Sequence, residues 1–157
     1  MNDIEVLKNA YETVRKGSNC ERFEDNDGYF FFISDGKMAG GCNYTVGRAV
    51  SIASEYSDSV DGFDENAFIS STGYGKVLNI EDIWVDSEFR NRGYSRRIVE
   101  HAIEVANSLG AESVVLRACS DEGIPVGVLE RIYAGCGFSI VQRTEFDGTI
   151  MVRNFEV

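Results

Sequence analysis

The sequence is short of cations. Its 157 residues carry 15 Lys and Arg against 26 Asp and Glu, a net charge of −11 at pH 7. A duplex-binding protein needs surplus cations to displace counterions, so nucleic acid is not an expected partner. The same deficit argues against binding to an anionic membrane. Long apolar runs are missing too: none approaches the ~18 residues that a membrane-spanning helix needs. The opening Met1-Asn2-Asp3-Ile4-Glu5 is acidic where a signal peptide would be basic and then apolar. A cytoplasmic protein is the expectation. Histidine is reduced to His101, which falls inside an expected helix and beside no nucleophile motif, so a Ser-His-Asp or Cys-His site has little to stand on. Cys20, Cys42, Cys119 and Cys136 are scattered, with no Cys-x-x-Cys pair and no His at zinc-finger spacing. They read as buried or idle thiols, and no metal is expected.

What is present is ordinary globular composition, with 43% hydrophobic and 26% charged residues. The length suits one domain over residues 1–157, large enough to bury a core without staples. Ile4, Leu7, Tyr11 and Val14 form an amphipathic stripe over residues 3–16, closed by Gly17. Tyr29 to Ser34, Asp35-Gly36 and Lys37 onward read as a hairpin, because Asp-Gly suits a two-residue type I′ turn. No strand is read ahead of it. Gly40 and Gly41 suggest a bulge or a close backbone approach. Residues 49–75 hold Glu55, Asp58, Asp61, Asp64 and Glu65, no Lys or Arg, and many Ser and Gly. This reads as a long connection, either a solvated acidic loop or one that faces a cationic ligand. Val77 to Val85 is a strand apolar on both faces and therefore central. A helix from about Tyr94 to Leu109 follows, with Ile98, Ala102, Val105 and Leu109 on one face and Gly110 as its stop. Ser113 to Ala118 is the next strand, so the unit is βαβ with parallel strands. A short helix runs from Pro125 to about Ala134, and strands near 138–144 and 149–155 flank Asp147-Gly148.

The chemistry concentrates in the turn of that βαβ unit. Arg90-Asn91-Arg92-Gly93-Tyr94-Ser95-Arg96-Arg97 places four arginines at a helix N-terminus of an otherwise acidic chain. Free backbone N–H groups and the helix dipole favour an anion there, and Gly93 lets the backbone wrap closely around a phosphate. A P-loop is excluded because Ser70 and Val77 stand where it needs Gly and a hydroxyl residue. A dinucleotide fingerprint is excluded because Gly73-Tyr74-Gly75 precedes a strand rather than following one.

The pattern resembles the GNAT superfamily of acyl-CoA-dependent N-acyltransferases. The signature Arg/Gln-x-x-Gly-x-Gly/Ala aligns with Arg90-Asn91-Arg92-Gly93-Tyr94-Ser95, with Ser95 at the last small position. A second block, Tyr-x-x-x-Gly-Phe, matches Tyr133-Ala134-Gly135-Cys136-Gly137-Phe138. Ile80-Glu81-Asp82-Ile83-Trp84-Val85 looks especially like spermidine/spermine and glucosamine-phosphate acetyltransferases. The family often has Asn ahead of the tyrosine, where this chain has Val126. The resemblance implies an α/β GNAT fold: a single mixed, mostly antiparallel sheet flanked by helices, with a central βαβ acyl-CoA-binding unit. It implies that Ile83, Trp84 and Val85 hold pantetheine, and that Arg90, Asn91, Arg92, Gly93, Tyr94, Ser95 and Arg96 hold the pyrophosphate of acetyl-CoA. It further implies that Glu81 takes the amine's proton and that Tyr133 protonates the departing thiolate.

Elementary chemistry agrees with these roles. An alkyl amine with pKa near ~10 is mostly protonated at neutral pH, and only its neutral form attacks a thioester. A carboxylate is therefore useful beside the amine, and a phenol beside the sulfur. The expected activity is direct acetyl transfer from acetyl-CoA to a primary amine. Polyamines, aminoglycoside-like antibiotics, amino sugars, protein lysines and protein N-termini all remain open as acceptors, and a homodimer is compatible with the sequence. The alternative is a catalytically silent GNAT-fold module that binds acyl-CoA or a protein partner.

Overall fold

A computed structural model describes residue 4, residues 21–120 and residues 124–155. Apart from Ile4, which is helical, the amphipathic stripe of residues 3–16, its Gly17 stop and Cys20 lie outside the described residues. Among the described residues, seven strands form one sheet in the order β1-β2-β3-β4-β5-β7-β6. They are β1 (Arg22–Asn26), β2 (Tyr29–Ser34), β3 (Lys37–Arg48), β4 (Lys76–Val85), β5 (Ser113–Ala118), β6 (Ser139–Arg143) and β7 (Thr149–Asn154). Among the described residues beyond Ile4, the α-helices that flank it are α1 (Ala49–Ser59), α2 (Glu65–Thr72), α3 (Tyr94–Ser108) and α4 (Val126–Gly135). Among the described residues no helix is long and apolar enough to cross a membrane.

The sheet is mixed and mostly antiparallel, and its parallel pair is β4–β5, joined by α3 as the sequence requires. β5 reads Ser-Val-Val-Leu-Arg-Ala and is buried at all but Arg117, as a strand covered on both faces must be. One face packs against α3 and α4 through Leu78, Ile98, Val99, Val114, Leu116 and Met151. The other packs against α1 and α2 through Ile52, Tyr56, Phe68, Val77, Val115 and Ile150.

Several sequence expectations need correction. The chain before Tyr29 contains a strand, β1, that pairs with β2 across Asp27-Gly28. The dipeptide is again Asp-Gly, but there only Gly28 is left-handed, with φ of 85°, whereas in the β2–β3 hairpin both Asp35 and Gly36 are, with φ of 52° and 73°. Residues 49–75 are not a loop: they form α1 and α2. Ala49, Ile52, Ala53 and Tyr56 keep helical spacing and bury one face of α1, and Asp64 caps α2 by accepting the Ala67 N–H at 3.0 Å. The buried stripe of α3 is Ile98, Val99, Ala102, Ile103 and Ala106, so Leu109 falls outside it and is exposed. Gly40 marks both a bulge and a close approach. The β2–β3 register skips Ala39, and a Cβ on Gly40 would sit 2.5 Å from the Trp84 carbonyl oxygen. His101 serves packing: its ring stacks on Phe23 at 3.8 Å and bonds Asp25 at 2.6 Å.

Candidate active site

β4 is paired with β3 along its whole length, from Arg48↔Lys76 to Gly40↔Val85. It meets β5 only at Val77, Leu78 and Asn79. Beyond Asn79 the two strands part, while β5 stays paired with β7 as far as Ala118. Among the described residues, the β4 backbone from Ile80 to Val85 therefore has no strand partner on its β5 side. Backbone N–H and C=O groups need partners, so this open edge is suited to an extended ligand that carries amides. The cause lies in β4 itself. Asn43 pairs with Asp82 and Tyr44 with Ile80, so Glu81 is an extra residue in a bulge. A bulge bends its strand and resets which side chains share a face. Leu78 and Ile80 belong to the core beneath α3, and beyond the bulge so do Ile83 and Val85.

A cavity of about 1130 Å³ fills the fork. β4 from Asn79 to Val85 forms one wall, and Val128, Leu129, Ile132 and Tyr133 of α4 form another. One end reaches the start of α3. Asn91 and Gly93 there have left-handed backbones, with φ of 63° and 76°, and no side chain caps the helix. The first-turn N–H groups of Tyr94, Ser95 and Arg96 are thus left for an anion, helped by the helix dipole. Arg90 and Arg96 line this end. The Arg90 Nε donates to the Val85 carbonyl at 3.3 Å. Arg96 donates to Glu100 at 3.0 Å and to the Gly135 carbonyl at 3.4 Å, which ties α3 to α4. The other two arginines of the cluster do not line the cavity. Arg92 lies 5.6 Å from the Phe89 ring centroid, and Arg97 pairs with Glu21 at 2.8 Å over the Phe32 ring. The Tyr94 side chain is buried, with its hydroxyl 3.2 Å from the Ser34 Oγ. Trp84 packs its indole against the cluster of Phe31, Ile33 and Met38.

Glu81 and Tyr133 both line this cavity. Glu81 is exposed on the bulge. Tyr133 is buried, edge-on to Phe138 at 6.4 Å. Burial pushes its phenol up to about 12, and the neighbouring thiols of Cys136, Cys42 and Cys119 act in the same sense. Such a group holds its proton at neutral pH and is a hydrogen-bond donor in the cavity wall.

The opposite end of the cavity has residues that the sequence reading passed over: Glu55, Tyr56 and Ser59 of α1, Asn79, Arg117 and Cys119. The Tyr56 O–H donates to the Asn79 Oδ1 at 2.6 Å, and burial raises the Tyr56 phenol above its ordinary value. Arg117 donates to the Asp147 carbonyl at 3.1 Å. Of the five carboxylates in residues 49–75, Glu55 lines the cavity. Asp58 and Asp61 border a separate depression beside Asp147, Asp64 is a helix cap, and Glu65 accepts from Ser57 at 3.4 Å.

The family model described as "Acetyltransferase (GNAT) family" matches residues 4–138. The chain belongs to the GNAT acetyltransferase family. Within it, the chain is similar to the probable glucosamine 6-phosphate N-acetyltransferase 2 of Oryza sativa subsp. japonica, at 38% identity over 76 residues. That match spans 48% of this chain and 40% of the rice protein. Solved GNAT structures share the fold. Arabidopsis thaliana NAA60 in complex with a bisubstrate analogue aligns with a TM-score of 0.60 at 16% identity, covering 98% of this chain and 94% of that one. Arylalkylamine N-acetyltransferase 2 from Aedes aegypti aligns at 0.55 with 16% identity, covering 82% and 73%. In this GNAT chain, the fork between β4 and β5 and the uncapped start of α3 open into one cavity.

Proposed function

We propose that this GNAT protein transfers the acetyl group of acetyl-CoA directly to a primary amine within the β4–β5 fork. The observation that carries this reading is the β4 edge from Ile80 to Val85, which no described strand covers on its β5 side and which leads to the left-handed turn at Gly93. The amides of pantetheine match that edge as an added strand would, at Ile83, Trp84 and Val85. The pyrophosphate matches the first-turn N–H groups of α3 and the side chains of Arg90 and Arg96. Asn91 and Arg92 belong to the same turn and shape its backbone.

The reaction then follows from the wall residues. Glu81 accepts a proton from the incoming ammonium, leaving a neutral amine whose nitrogen bonds to the thioester carbonyl carbon. The carbonyl electron pair moves to oxygen and returns as the C–S bond breaks. The electrons of that bond leave with sulfur, which takes the proton of the Tyr133 hydroxyl, and the second proton of the former amine leaves the new amide nitrogen and restores the phenol. Glu55 of α1 and Glu81 and Asp82 of the β4 wall favour an acceptor that carries positive charge.

Two measurements test this. Acetyl-CoA at ~100 times Kd should stabilise the fold by roughly 2.7 kcal/mol in thermal or denaturant unfolding. A panel of amines screened with acetyl-CoA for thiol release should give turnover with at least one cationic acceptor. Stabilisation without turnover on any amine would favour a silent acyl-CoA-binding module. Absence of stabilisation at millimolar acetyl-CoA would remove the whole reading.

A further inference from the structure

The apex of the fork holds a polar side chain with unused hydrogen-bonding capacity. Asn79 is the last β4 residue paired with β5, opposite Val115, and is 7% exposed. Buried polar groups in a sheet are normally fully satisfied. Its Oδ1 accepts the Tyr56 O–H at 2.6 Å, which fixes the carboxamide in one orientation. Its amide nitrogen donates to no described residue, and it is not among the sealed unpartnered atoms, which are Thr45 Oγ1, Trp84 Nε1 and Ser113 Oγ. Asn79 lines the cavity, so this N–H₂ group faces it.

Two of the other side-chain donors at this end are committed, and Arg117 spends one of its N–H groups. The Ser59 hydroxyl donates to the Glu55 carbonyl at 3.0 Å, Arg117 to the Asp147 carbonyl at 3.1 Å, and the Cys119 thiol to that same carbonyl at 3.3 Å. Glu55, Glu81 and Asp82 are acceptors when ionised. A ligand oxygen at the apex meets the Asn79 N–H₂ group where β4 leaves β5, next to the open backbone of β4. The reacting thioester presents such an oxygen, that of its carbonyl, beside the Glu81 bulge that begins two residues further along β4.

We propose that the Asn79 carboxamide donates a hydrogen bond to the carbonyl oxygen of the bound acetyl group, with Tyr56 as the residue that positions it. This rests on the acetyl-transfer reading above. As the amine nitrogen bonds to carbon, the carbonyl electron pair shifts to oxygen and the Asn79 N–H meets a growing negative charge, so the bond strengthens in the transition state. Tyr56 prevents the amide from turning its own oxygen toward that charge.

The test compares acetyl-CoA with S-ethyl-CoA, which keeps the cofactor and a two-carbon group but lacks the carbonyl oxygen. By calorimetry, wild type should prefer acetyl-CoA. Asn79→Leu and Asn79→Asp should lose that preference while their affinity for S-ethyl-CoA stays at the wild-type value. Asn79→Asp retains an acceptor for the Tyr56 O–H, so it carries the test if the leucine variant fails to fold. With an acceptor found by screening, both should lower kcat about 10²–10³-fold, the usual cost of losing an oxyanion donor. Tyr56→Phe should lose part of the preference and leave S-ethyl-CoA affinity intact. Equal weakening of both ligands would assign Asn79 a structural role and overturn the proposal, as would an unchanged preference in the variants. Wild type binding both ligands equally would overturn it alone, whereas wild type binding neither would bring down the acetyl-transfer reading with it.

Discussion

The end of the cavity at α3 is built largely from backbone, whereas the end at α1 is built from side chains. At the first, the open edge of β4, two left-handed residues and the uncapped turn of α3 present N–H and C=O groups. Two of the four clustered arginines, Arg92 and Arg97, point elsewhere. At the second, Glu55, Tyr56, Asn79 and Arg117 arrive from three different elements. A ligand read by backbone can be served by many sequences, provided the bulge and the turn persist. A ligand read by side chains changes with every substitution. The difference suggests a fixed donor at one end and a selectable acceptor at the other, with Tyr133 between them.

Breaking the junction should have the largest effect. Tyr133→Phe should lower kcat by about 10²–10⁴-fold, the usual worth of a general acid, with acetyl-CoA affinity retained because the phenol acts only as the thiolate leaves. Unchanged kcat, with chemistry shown to be rate-limiting, would remove Tyr133 from the reaction.

The burial of that phenol makes a second prediction. Its value is raised in the folded protein from 10.0 to about 12. A raised value means that the stabilisation is complete below the unfolded value and is lost as pH rises toward the folded one. Between pH 10 and about 12, wild type should therefore lose up to roughly 2–3 kcal/mol relative to Tyr133→Phe in chemical unfolding. Parallel pH curves for the two proteins would show that the hydroxyl is better solvated than its burial implies.

At the backbone end, Gly93→Val should weaken acetyl-CoA roughly 5–30-fold, because a left-handed backbone costs ~1–2 kcal/mol with a side chain present. The amine KM should not move. Loss of amine binding together with cofactor binding would mean that the two ends are not separable.

The sequence was most legible where backbone does the work. Gly93 and its arginines, the Ile80–Val85 strand and the Asp35-Gly36 turn are local patterns, and a local pattern can be read without knowing what packs on it. β1 was missed although Asp27-Gly28 carries the same turn signal, because Arg-Phe-Glu-Asp-Asn lacks the apolar alternation of a half-buried strand. The Ser and Asp content of α1 masks the helical spacing of Ala49, Ile52, Ala53 and Tyr56 in the sequence. Missing α1 hid the α1 end of the cavity, since the Tyr56–Asn79 bond joins residues 23 apart in the chain. The bulge at Glu81 belongs to pairing with β3 and has no signature of its own.

The smallest expected effect reads the charge of the acceptor. Glu55 is the carboxylate of residues 49–75 that reaches the cavity wall, while Asp58 and Asp61 stand outside it. A solvent-accessible charge pair contributes about 0.2–1 kcal/mol, so Glu55→Gln should raise KM for a cationic acceptor by no more than about fivefold. The effect should shrink as salt is added, and acetyl-CoA KM should be untouched. Neutralising Asp58 and Asp61 together should change neither value, because their field acts on a different depression. The sign is the informative part. For an anionic acceptor such as a sugar phosphate, removing the Glu55 charge should lower KM rather than raise it. A lowered KM on the best acceptor, or an equal response to the Asp58 and Asp61 changes, would end the case for a cationic acceptor and leave the donor end standing.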